Sequence, residues 1–111
     1  MIKKKYVKSR NVYKITFELP EDQLPEGVEV KNIHLVGDFN QWDPSATPLS
    51  LEKSGEFRLV LELEPEREYQ FRYLINSVYW CNDRDADAFI SNPFWDENGV
   101  VATNIEADTP R

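Results

Sequence analysis

The sequence holds a single cysteine, Cys81, and a single histidine, His34. One cysteine makes no internal disulfide, and no other Cys or His stands near Cys81 at the spacing a zinc site requires. Cys81 therefore reads as an inert, partly buried thiol. His34 lies inside a run that reads as a strand, with no Ser or Cys to place beside it, so it is expected to be structural rather than a general base. No apolar run is long enough for a membrane span, or for a signal-peptide core behind the basic start of Lys3, Lys4, Lys5, Lys8 and Arg10. That start is expected to be cytoplasmic. No stretch of ten or more residues repeats apolar positions at i, i+3 and i+4, which leaves no stable helix, and no repeat of fixed length recurs. Positive charge is scarce as well: 13 basic residues face 20 acidic ones, for a formal net charge of −7. A field of that sign opposes the phosphate attraction that dominates nucleic-acid binding, so neither nucleic acid nor an anionic membrane is an expected partner.

What is present describes an ordinary globular chain: 41% hydrophobic, 13% aromatic and 30% charged residues, too apolar for disorder. At 111 residues it suits one domain. Such a domain buries roughly 60 to 65% of its unfolded surface, enough for one core without metal or disulfide. Residues 1–111 are expected to form a single unit with its core in 13–103 and frayed ends.

Alternation of period two is the strongest pattern. Tyr13, Ile15, Phe17 and Leu19 alternate with Lys14, Thr16 and Glu18, which predicts a half-buried strand. Residues 28–36 are rich in β-branched side chains and stop at Gly37, and 49–52 can pair briefly before Ser54-Gly55. The clearest hairpin joins Phe57, Leu59, Leu61 and Leu63 to Tyr69, Phe71, Tyr73 and Ile75 through Glu64-Pro65-Glu66-Arg67. Asn76-Ser77 turns the chain into Val78, Tyr79 and Trp80, a polar loop fills 82–98, and a last strand spans 99–105. About seven short strands separated by turn signals predict an all-β, two-sheet antiparallel sandwich.

Catalysis needs a positioned acid, base or nucleophile, and beyond His34 and Cys81 the supply is thin. Glycoside hydrolysis uses two carboxylates about 5 to 9.5 Å apart, and Asp83, Asp85 and Asp87 are the candidates for that chemistry. The same run lacks the glycine and the later bidentate glutamate of an EF-hand loop, which argues against calcium. Solvated loop charges are the expected reading of all three. Trp42 is different, because it lies in a turn-rich segment just past a strand, where a core residue is out of place. Trp80 closes a short strand and is followed by Cys81, Asn82 and Asp83 in the same manner. A pyranose ring has a flat C–H face that stacks on an indole, while its hydroxyls need donors and acceptors such as Asn, Gln or Arg. Against this stands the ordinary use of one tryptophan in the core of a small β-sandwich.

The segment His34-Leu35-Val36-Gly37-Asp38-Phe39-Asn40-Gln41-Trp42 resembles the strand-to-loop signature of carbohydrate-binding module family 48. That family includes the glycogen-binding domain of the AMP-activated protein kinase β subunit and the early-set domains of isoamylases and branching enzymes. The likeness continues in order through Pro48-Leu49, Gly55-Glu56-Phe57, residues 68–75, Trp80, Asn82-Asp83, Ala86-Asp87, Asn92-Pro93-Phe94 and residues 98–101, and so spans roughly 13–103. It implies an immunoglobulin-like early-set sandwich without a cofactor. It also implies sugar stacking on two tryptophans, which fall on Trp42 and Trp80, with a basic residue at Arg72 and a binding asparagine at Asn98 or Gly99. Asn76-Ser77 stands where Asp-Gly is usual, the hairpin to Trp80 is one residue longer than in the kinase subunit, and Trp95 replaces a small residue. Trp95 is either a third platform or a loop plug.

The expected function is therefore non-catalytic binding of α-glucan (glycogen, starch or maltooligosaccharide) through Trp42, Arg72, Trp80 and Asn98, with a glycogen-metabolising enzyme as a further partner. The alternative is a protein-docking or regulatory module that keeps the sandwich and offers an exposed strand edge. The competing readings of the site residues are a hydrophobic lid for Trp42 and a surface ion pair for Arg72.

Overall fold

The computed structural model describes residues 1–103. Alternating apolar and polar residues extend nearly half of them into nine strands: β1 (Ile2–Val7), β2 (Val12–Leu19), β3 (Ile33–Gly37), β4 (Ser50–Leu51), β5 (Phe57–Leu63), β6 (Glu68–Ile75), β7 (Tyr79–Cys81), β8 (Ala88–Ser91) and β9 (Glu97–Ala102). Two antiparallel sheets result, one in the order β1-β2-β5-β4 and the other in the order β3-β6-β9-β8, with β7 paired to β6 beyond the end of β9. This is the all-β antiparallel sandwich that the alternation predicts.

The core lies between the sheets. Tyr13, Ile15, Phe17 and Leu19 of β2 are fully buried and cluster with Phe71, Tyr73 and Ile75 of β6, Ile33 and Leu35 of β3, and Val101 of β9. The Phe17 and Phe71 rings meet edge to face with centroids 5.4 Å apart, an arrangement worth about 0.5 to 1.5 kcal/mol beyond the area buried. Within the first sheet the apolar rows coincide, with Ile15 opposite Leu61 and Phe17 opposite Leu59. A slip of one residue would turn that whole row toward water, so the register is strongly specified.

Four departures from the sequence pattern have physical causes. β1 was expected to fray, yet it pairs with β2 over its whole length, and Ile2 and Tyr6 pack on the core while Lys3 and Lys5 point outward. β8 forms inside the stretch read as a loop, with all four residues on the surface and pairing only with β9. The strand expected over 28–36 begins only at Ile33, because the Asn76 side chain takes the backbone before it: Asn76 Oδ1 accepts from the amides of Lys31 and Asn32, and Nδ2 donates to the Glu29 carbonyl. The last strand ends at Ala102 rather than 105; residues 104 and 105 and the expected C-terminal fraying lie outside the described residues. The only helical geometry among the described residues is two three-residue 3-10 turns, Glu21–Gln23 and Asp38–Asn40.

The β6–β7 connection sets the position of Trp80. Ile75 pairs with Tyr79, so three residues make the connection; Asn76 and Ser77 have φ of +54° and +60°, the left-handed pair of a type I′ turn, and the Val78 amide donates to the Ile75 carbonyl at 3.0 Å. Ser77 does without the glycine that such a turn favours.

Candidate functional site

Each residue from Gly37 to Trp42 has a separate structural task, and together they present the Trp42 indole. A Cβ at position 37 would stand 2.5 Å from the Gln70 carbonyl oxygen and 2.8 Å from Phe71 Cβ, so only glycine lets β3 lie this close to β6. Phe39 turns inward against Phe17 and Tyr69. Asn40 closes the turn: its Oδ1 accepts from the Gly37 amide at 3.1 Å, and its Nδ2 donates to the Leu35 carbonyl at 2.8 Å and to Thr47 Oγ1 at 3.0 Å. Gln41 and Trp42 both adopt left-handed backbone at φ +57°, strain of about 1 to 3 kcal/mol each that persists only where surrounding contacts over-determine it. Here the Trp42 amide donates to the Gly37 carbonyl at 2.9 Å and the indole Nε1 donates to Asp38 Oδ1 at 2.9 Å. Asp38 Oδ2 in turn accepts from the Gln70 amide at 2.8 Å, which ties the tryptophan to β6.

Strand alternation supplies the opposite wall. Phe71 and Tyr73 point into the core, so Gln70, Arg72 and Leu74 point outward. Leu74 pairs with Trp80, and the β6–β9 register, which ends at Phe71 opposite Gly99, sets Asn98 beside Arg72 one step further on. Gly99 belongs to the inward-facing set; a Cβ there would meet Ala86 at 3.2 Å and Phe71 at 3.4 Å. Of the two positions offered by the resemblance, Asn98 is thus the one on the outer face. Its Nδ2 donates to Gln70 Oε1 and its Oδ1 accepts from Asn92 Nδ2, both at 3.1 Å.

Arg72 is held on three sides. Its Nε donates to Asn82 Oδ1 at 3.1 Å, one terminal nitrogen lies 3.0 Å from Asp96 Oδ2, and its guanidinium carbon sits 5.7 Å from the Trp80 ring centroid. That last distance is within cation–π range. The Asp96 carboxyl is held below its ordinary range, first by the Glu97 backbone N–H and then by the hydrogen bond and charge of Arg72.

Trp42, Arg72, Trp80 and Asn98 all line one groove of about 630 Å³, completed by Asn92, Pro93, Phe94 and Asp96 from the β8–β9 loop. These four loop residues carried no functional expectation. The signal that singled out Trp42, a large aromatic in a turn-forming segment, was also present at Phe94, which is 84% exposed. The loop is shaped by Asn92, whose Oδ1 accepts from the amides of Phe94 and Asp96. Of the two readings of Trp95, the loop plug is corrected: the residue is fully exposed, with φ of +64°, and it is not among the residues lining the groove.

The reading of the acidic run as solvated charges is corrected at Asp83, while Asp85 and Asp87 are exposed. Asp83 is fully buried, with Oδ2 accepting from the Tyr73 hydroxyl at 2.8 Å and Oδ1 from the Asp85 amide at 2.8 Å. Burial first, and then the Asp83 charge, push the Tyr73 hydroxyl pKa well above its ordinary value. Asp87 pairs with Lys4 at 2.7 Å and accepts from the Ala102 amide. Cys81 is half-buried, and burial followed by the Asp83 charge raises its pKa. His34 sits in β3 opposite Leu74 with a buried Nδ1. Among the described residues no cluster of three or more His, Cys, Asp or Glu could hold a metal ion, and no helix is long and apolar enough to cross a membrane.

Fold and groove together define a small all-β sandwich with an aromatic-walled depression on the outer face of its five-stranded sheet. No family model and no curated protein matches the chain.

Proposed function

We propose that the chain is a non-catalytic module that binds α-glucan, with the indoles of Trp42 and Trp80 as stacking platforms for successive glucose rings. One observation carries this reading: two partly exposed tryptophans share a single groove with the hydrogen-bonding side chains of Arg72 and Asn98. A guanidinium has five N–H donors, and the contacts to Asn82 and Asp96 leave others for sugar hydroxyls. No cofactor enters the reading. If each platform contributes about 1 kcal/mol beyond area burial, an open groove binds with a Kd of roughly micromolar to millimolar. Useful retention then comes from the many chain ends of a branched polymer.

A second reading, protein docking, is favoured by a different feature. β8 is an edge strand whose Phe89 and Ile90 are 44% and 41% exposed, beside the exposed Trp95. An unpaired edge with apolar side chains is a template for strand addition, and a glycogen-metabolising enzyme is a partner consistent with glucan binding. Native electrophoresis through gels containing glycogen separates the two. Retarded wild type, with retardation lost in Trp42→Ala and Trp80→Ala and kept in Phe89→Ser, is the expected result. Mobility of the wild type that is unaltered by glycogen rejects the glucan reading.

A further inference from the structure

Two charged side chains line the groove among the described residues, Arg72 and Asp96, and they are paired with each other. Arg72 alone would make the groove attractive to anions, since a guanidinium edge matches a phosphate or carboxylate in two-point geometry. We propose that Asp96 is a specificity-determining residue: by occupying that edge it cancels the positive charge in the groove and turns away anionic ligands, such as phosphorylated or uronic-acid sugars, in favour of neutral ones. The kind of sugar rests on the glucan reading above; the exclusion of anions does not.

The pairing is built from both sides. On the loop side, Asp96 Oδ1 accepts from the Glu97 amide at 2.9 Å, which leaves Oδ2 aimed at Arg72. On the strand side, Arg72 cannot swing clear of it, because Nε is held by Asn82, whose Nδ2 is itself anchored to the Glu97 carbonyl at 2.9 Å. The Trp80 ring, 5.7 Å from the guanidinium carbon, borders it on a further side. One backbone unit, that of Glu97, thereby positions both partners. An incoming anion must displace the carboxylate from Arg72 and then remain close to its charge. A neutral hydroxyl meets no such barrier and can accept from the N–H groups that are left. The Asp96 side chain is 55% exposed, so water and salt screen part of the effect, and the discrimination expected is of one order of magnitude rather than several.

The test is a tryptophan-fluorescence titration of the whole chain with three probes: inorganic phosphate, maltoheptaose, and maltoheptaose carrying one phosphate ester. Asp96→Asn is the chosen variant, because asparagine keeps the carbonyl that caps the Glu97 amide while removing the charge; a circular-dichroism spectrum and urea midpoint matching wild type establish that it folds. Wild type is expected to show no saturable response to phosphate. Asp96→Asn is expected to gain one that is weakened by added salt, and to lose it again in the Arg72→Gln/Asp96→Asn double variant. Preference for maltoheptaose over its phosphate ester should fall from about tenfold to below about threefold in Asp96→Asn. Equal phosphate responses in wild type and Asp96→Asn overturn the role given to Asp96. Failure of wild type to bind maltoheptaose rejects the glucan reading alone, because the phosphate titrations are read without it.

Discussion

The groove has two rims, and they are made differently. At the Trp42 rim, six consecutive residues hold one another: Gly37 admits β6, Asp38 bridges the indole and the Gln70 amide, Asn40 closes the turn, and the strained backbone at Gln41 and Trp42 is enforced by these bonds. At the opposite rim, Asn92 shapes the loop tip, but the loop is tied to the rest of the groove by the Asp96–Arg72 ion pair and by the Asn92–Asn98 amide contact. Phe94 and Trp95 stand almost bare there. One rim is a platform fixed by steric fit and short local bonds, and the other is a clasp held by polar contacts that water can replace. The same depression thus combines a stiff surface with an adjustable one.

The contrast is most sharply tested at Gly37. A methyl group there meets backbone oxygen and Cβ rather than the end of a flexible side chain, so Gly37→Ala should lower unfolding free energy by about 3 kcal/mol, the upper range for overpacking. Urea denaturation measures it; a loss below about 1 kcal/mol would mean that β3 shifts easily and that the Trp42 rim is not stiff. Asn92→Ala is the matching break on the other side. It removes the acceptor for two exposed loop amides, and about 1 kcal/mol is expected because water can take its place. A loss as large as that of Gly37→Ala would erase the distinction between the rims. The smallest effect belongs to Trp95→Ala: outside the groove and fully exposed, it should change stability by less than about 0.5 kcal/mol and leave retardation in glycogen gels as in wild type. Weakened retardation would extend the site beyond the residues that line the groove.

The same division decides how much was legible in the sequence. Alternation in β2, β5 and β6 announced the sandwich because each inward side chain faces one core, whatever the details of pairing. β1 was obscured because Lys3, Lys4 and Lys5 interrupt the spacing of Ile2 and Tyr6, and Lys4 reaches Asp87 instead of water. β8 has no buried side to alternate with. Trp42 and Trp80 could be named as site candidates from their place beside turns, and Arg72 and Asn98 from the resemblance. Asp96 could not, since an aspartate in a polar loop looks solvated until the β8–β9 hairpin brings it to Arg72. Asp83 was misjudged for the same reason in reverse: its buried partner Tyr73 lies across the β6–β7 hairpin, ten residues away in the chain. Local patterns report local bonds, and charges whose partners are distant in the chain remain silent.

The bond from the Trp42 indole to Asp38 has one more consequence. A tryptophan has two side-chain torsions, and this one has both already confined by its N–H and by the left-handed backbone beneath it. Little rotational freedom remains for this ring to lose when a ligand arrives, so the entropy of capture at this point falls almost wholly on the ligand. Under the proposed glucan binding, a sugar chain already curved to the shape of the groove should therefore be held more tightly than a limp one of equal length.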